Sequence, residues 1–163
     1  MKTLQVKRNL TALAVIVILL LSFGACKKNK NDDDHMNQVK HATIVLSGAQ
    51  EVPRNSSTGT GSAHVSYDPA YKTITYDMTW QLGLSTATTV NMHFHGAEAA
   101  TDTTSSPVTI GITGFPTGNS GYVSGTTREL SDAEANQLLA GKWYLNVHSS
   151  TIPGGELRGN IKF

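Results

Sequence analysis

The side chains best suited to chemistry are three histidines in two short runs, His93 and His95 within Asn91, Met92, His93, Phe94, His95, and His148 within Asn146, Val147, His148. Neutral imidazoles are good ligands for zinc and copper, and two at alternate positions with a third on a neighbouring strand can converge on one ion. His64 is the one residue placed to add a fourth ligand. The same rings can instead join Asn91, Asn146, Glu156 and Arg158 in a hydrogen-bonded polar layer, where a carboxylate beside imidazoles and a guanidinium stiffens strand pairing. A polar strand face is stable without any ligand, so a metal site and a structural layer both stand as readings.

Either reading needs the histidines on strands. Side chains two apart on a strand project to the same face. His93 and His95 therefore stand together, opposite Val90, Met92 and Phe94, and His148 stands opposite Trp143, Leu145 and Val147. The period of two recurs along the chain. It is carried by Ala42, Ile44 and Leu46; by Ala63, Val65 and Tyr67; and by Ile74, Tyr76, Met78 and Trp80. Val108, Ile110 and Ile112 continue it, then a weaker run from Gly121 to Thr127, and finally Leu157, Ile161 and Phe163. Turn residues such as Asp68, Pro69 and Pro153, Gly154, Gly155 separate the runs.

About eight strands, each able to bury one face, predict an all-β fold, a two-sheet antiparallel β-sandwich of Greek-key type. One short connecting helix is expected. Ser131 and Glu134 form a capping box, Gly141 marks the stop, and Leu138 and Leu139 are placed to close one end of the core.

The ends bound the setting. Lys2, Lys7 and Arg8 precede an apolar run from Leu10 to Leu21, followed by Phe23, Gly24, Ala25 and Cys26. Residues 1–25 read as a lipoprotein signal peptide, the run being shorter than the roughly 20 residues a spanning helix needs. Cys26, the single cysteine, is read as the lipidated anchor; it excludes an intramolecular disulfide. Residues 26–39, with Lys27, Lys28, Lys30 and then Asp32, Asp33 and Asp34, read as a flexible tether, and residues 40–163 as one domain. The chain has 13 basic and 12 acidic residues, and without the three N-terminal cations the balance is mildly acidic, which argues against nucleic acid. The expected partners are the membrane, through Cys26, and an unidentified protein or small ligand, on the periplasmic or cell-surface side of the outer membrane.

Four segments together resemble the chordin-type (CHRD) domain. They are Leu46, Ser47, Gly48 with Glu51, Val52, Pro53; His93, Phe94, His95, Gly96; Gly141 to His148; and Gly155, Glu156, Leu157, Arg158, Gly159. The resemblance implies an extracellular β-rich module, with no activity to carry over.

Copper–zinc superoxide dismutase places a similar H-x-H on the outer face of a sandwich under long loops, and Gly96 to Pro107 offers such a cover here. That is an analogy of fold only, since the further ligands of a two-metal site are missing. Catalysis has little support. Ser149, His148 and Glu156 do not form a triad, because adjacent strand residues point apart and no nucleophile elbow is present. Glu51, Glu98 and Glu156 lack an evident cleft between them. The reading is a lipid-anchored binding or scaffolding module without enzymatic activity. Its alternative is a copper or zinc protein, with no cofactor expected otherwise.

Overall fold

In the computed structural model the described residues are 38–163. The expected signal peptide, Cys26 and nearly all of the tether lie outside them. Eight strands and one α-helix follow in order: β1 (Lys40–Ser47), β2 (Thr60–Asp68), β3 (Thr73–Gln81), β4 (Thr89–Gly96), β5 (Val108–Gly111), β6 (Ser120–Thr126), α1 (Asp132–Leu139), β7 (Trp143–Ser149) and β8 (Leu157–Asn160). A 3-10 turn, Gly48–Gln50, follows β1. Each strand falls on one of the alternating runs; β1, β2 and β3 bury every second residue where they line the core, whereas β7 and β8 are buried on both faces.

Where two facing sheets were expected, the strands form one antiparallel sheet in the order β5-β4-β7-β8-β1-β2-β3-β6, curled into a half-barrel. The link between its halves is narrow: β1 meets β8 through the single register pair Ser47 and Arg158. Twist accumulated over eight strands bends such a sheet back on itself, so that one face can serve as both walls of the core. The contact between Tyr76 on β3 and Phe94 on β4 records this. Their rings meet edge to face at 5.2 Å although four strands separate them within the sheet. Trp80 also donates from Nε1 to Thr89 Oγ1 at 2.8 Å.

The core joins Ile44, Leu46, Val65, Ile74, Met78, Met92, Phe94, Leu145, Val147, Leu157 and Ile161, all at or near zero exposure. Helix α1 begins as expected: Ser131 Oγ accepts from Glu134 N–H, and the Glu134 carboxylate accepts from Ser131 N–H. Gly141 follows the helix at φ +69, the left-handed conformation that favours glycine. Leu138 is buried, whereas Leu139 is exposed.

Val90 departs from the alternation. The β4–β7 register shifts between Thr89 and Asn91, which turns Val90 outward and puts Thr89 in the interior as the acceptor for Trp80. A bulge of this kind reverses facing locally while leaving the strand intact. Val108 is likewise exposed, after a second shift between Phe94 and His95 in the β4–β5 pairing.

A histidine cluster under a pinned loop

The histidines come together because β4 and β7 are neighbours. In register, Asn91 faces His148, His93 faces Asn146, and His95 faces Tyr144. Asn146 in turn faces Arg158 on β8, and Gly111 of β5 lies beside His93 on the other side. One cross-strand row thus runs Gly111, His93, Asn146, Arg158, on the face opposite Met92, Phe94, Leu145 and Val147.

One nitrogen from each of His93, His95 and His148 lies within 4.8 Å of the others. His93 Nδ1 and His148 Nε2 are 3.3 Å apart. The rings stand nearly perpendicular, with centroids 5.4 Å apart for His93 and His95 and 5.0 Å for His93 and His148. Two backbone carbonyls orient the cluster: Ser106 O lies 2.8 Å from His95 Nδ1, and Pro153 O lies 2.8 Å from His148 Nδ1. A carbonyl can only accept, so in both rings the Nδ1 carries hydrogen and the neutral ring keeps its Nε2 lone pair. His95 Nε2 lies 3.1 Å from Asn146 Oδ1; with the hydrogen on Nδ1, the neutral ring bonds that amide when its oxygen and NH2 exchange places. Burial lowers the pKa of His93, and the neighbouring His148 and His95 lower it further; burial likewise lowers that of His95. Both therefore favour the neutral form.

The loop 97–107 covers one side of this face, and its attachments are specific. Arg158, 1% exposed, donates from Nη1 to Thr104 O and from Nη2 to Thr101 O, at 3.0 and 3.2 Å, and from Nε to Asn160 Oδ1. Its guanidinium lies 3.6 Å from the centre of the Tyr144 ring, and that ring stacks on His95 at 4.6 Å, nearly parallel. Tyr144 Oη accepts from Ser106 N–H, and Ser105 Oγ donates to Val52 O. Beneath the loop His95 is buried, while His93 and His148 remain half-buried.

The carboxylate expected in the polar layer, Glu156, lies elsewhere, and Glu51 stands near Arg158. Strand β8 begins only at Leu157, and Gly155 before it has φ +127, so Glu156 stands outside the regular alternation. Its Oε1 accepts from Ser57 Oγ and from Gly83 N–H, both at 2.6 Å, rather than from the groups around the imidazoles. The carboxyl near Arg158 and Asn146 is that of Glu51, which is buried and raised in pKa to about 7, chiefly by burial, with Arg158 and hydrogen bonding opposing. A Cβ on Gly155 would come within 2.5 Å of Glu51 Oε1, so glycine there makes room for the carboxyl.

The other expected residues separate. Asn91 is exposed, and its Oδ1 accepts from the N–H of Met92. His64 is exposed on β2, four strands from β4, and pairs with Asp77 at 3.1 Å. Tyr144 was legible by the same parity that places Asn146 and His148 on one face. Glu51, Ser106 and Pro153 lie in irregular segments where no periodicity points to them.

The four segments singled out in the sequence contact one another: Ser47 pairs with Arg158, Glu51 packs on Gly155, Gly96 faces Trp143, and His93 faces Asn146. Gly96 is required there, since a Cβ would strike the Trp143 indole. No curated protein and no solved structure gives a significant match to the chain. Among protein families, the CHRD domain matches residues 42–161. That match spans the described fold from β1 to just past β8, and the chain belongs to the CHRD domain family.

Proposed function

We propose that the protein is a lipid-anchored, extracytoplasmic binding module of the cell envelope that engages its ligand through the histidine face of β4 and β7. The observation that supports this is the burial of Arg158, Glu51, His95 and Asn146, with Arg158 and His95 bonded to the loop 97–107. Burying a guanidinium and a carboxyl is costly, and apolar residues of similar volume would hold a loop more cheaply. Such a layer serves best where it positions polar groups, here the half-open His93 and His148.

The reading is of binding rather than catalysis: Ser149, the nearest hydroxyl in sequence, is fully buried and its Oγ accepts from the N–H of Ile152. Anchoring rests on Cys26 and the apolar run before it. The expected result of Cys26→Ser is release of a folded protein into the soluble fraction. Crosslinking in intact cells should give a defined adduct that a His93→Ala, His148→Ala double variant loses. Membrane association unchanged by Cys26→Ser, or an adduct unchanged in the double variant, would contradict the corresponding half of the proposal. The second reading, a copper or zinc protein, is favoured by the convergence of the three ring nitrogens.

A further inference from the structure

We infer that His93 Nδ1, His95 Nε2 and His148 Nε2 form a three-nitrogen tripod for one late first-row metal ion, copper or zinc, with a coordination position left open on the β5 side. This rests on the histidine face being the binding face, and it names the ligand of that face.

The choice of nitrogens follows from the hydrogen bonds. His95 and His148 each commit Nδ1 to a backbone carbonyl at 2.8 Å, which leaves Nε2 as the lone-pair atom and fixes the plane of each ring. An N–H held by a carbonyl behind a ligand nitrogen is the usual outer-shell support of a metal-bound imidazole. His93 presents Nδ1 to His148 Nε2.

The separation of those two atoms, 3.3 Å, separates the two readings of the cluster. Good N–H hydrogen bonds run from about 2.7 to 3.2 Å, so this contact is long for a bond between rings. Two ligands at about 2.0–2.1 Å from a tetrahedral ion stand about 3.3–3.4 Å apart, which is the spacing found. The remaining separations, none above 4.8 Å, can exceed that spacing, so completing the tripod requires His95 Nε2 to leave Asn146 Oδ1 while Nδ1 keeps its carbonyl.

The donor set selects the ion. Calcium and magnesium require several oxygen ligands, and the cluster offers three neutral nitrogens. Imidazole suits copper and zinc, with copper(II) the tighter of the two by the general order of divalent affinities. The open position has room: Gly111 lies beside His93 in register, and a Cβ built on it meets nothing within 4 Å.

The test uses the full-length chain extracted in detergent, without a polyhistidine tag, stripped by chelator and titrated with copper(II), zinc(II), calcium or magnesium. The expected result is one equivalent of copper or zinc and none of the other two. Losing a ligand should weaken binding by at least the roughly 10- to 100-fold that outer-shell losses cost, so His93→Ala and His148→Ala should each fall that far, with His64→Ala unchanged. Nitrogen hyperfine structure in the electron paramagnetic resonance of the copper-loaded wild type reads the ligands without relying on any variant folding. Failure of the wild type to take up either ion, absence of nitrogen hyperfine structure, or binding that survives both variants overturns the inference. If metal uptake fails while the double variant still loses its envelope adduct, the binding face stands and only the metal falls; if both fail, both fall.

Discussion

At the scale of single residues, the polar layer is governed by two buried ionisable groups that tolerate their positions differently. Glu51 has its pKa raised from 4.5 to about 7. The folded chain therefore keeps a proton that the unfolded chain has lost, so this group's contribution to stability is fully present below about pH 4.5 and is lost as the pH rises through 7. Holding an ionised carboxyl there costs on the order of 3 kcal/mol. Glu51→Gln, which keeps the shape and removes the titration, should gain on the wild type by 2–3 kcal/mol, roughly, between pH 5 and pH 8. Urea unfolding across that range checks it, and parallel pH profiles for the two proteins would refute it.

Arg158 is held by geometry as much as by charge, with three donor nitrogens on three oxygens and its plane on Tyr144. Lysine cannot fork or stack in this way. Arg158→Lys should cost roughly 2 kcal/mol or more. It should also raise amide exchange selectively in the loop 97–107, and a uniform change over the whole domain would show that the guanidinium does not pin that loop.

At the scale of elements, what was legible in the sequence is what local pattern controls. Alternation places Ile44, Met78, Phe94 and Val147 inside and His93, His95 and His148 on the other face, as found. The capping box of α1 was equally plain, because Ser131 and Glu134 satisfy each other within one turn. Ser131→Ala should cost about 1 kcal/mol, measured as a lower midpoint of unfolding with an unchanged slope; no shift would mean that tertiary packing alone sets the start of the helix.

The exceptions share one cause, which is that a period of two holds only inside an unbroken ladder. The bulge at Val90 resets the count, and the positive φ at Gly155 leaves Glu156 outside it. Hence Glu156 meets Ser57 and Gly83, and Glu51, arriving from the segment after the 3-10 turn, takes the place beside Arg158 and Asn146.

For the whole molecule, pairing order was beyond the reach of pattern. Every strand turns one face to the core whether the ladder is cut into two sheets or runs on as one, so alternation alone cannot distinguish the two. The distinction rests on long-range pairs such as Ser47 with Arg158, 111 residues apart in the chain, which local propensity does not encode. The same argument shows where the fold is most vulnerable. With a single cysteine there is no crosslink, and the two halves of the curled sheet are held to each other by contacts across its concave face. Phe94 is the most informative of these, since it is fully buried, touches Tyr76 across the core, and lies directly between His93 and His95. Phe94→Ala should cost about 3–5 kcal/mol, the usual loss for emptying an aromatic site that cannot fully collapse. Because β4 carries two of the three histidines, the same change should also disturb their spacing. Metal uptake by Phe94→Ala, measured where it is still folded, should weaken along with stability. Stability lost with uptake intact would show that the neighbouring strand and the pinned loop hold the histidines without help from the core beneath them.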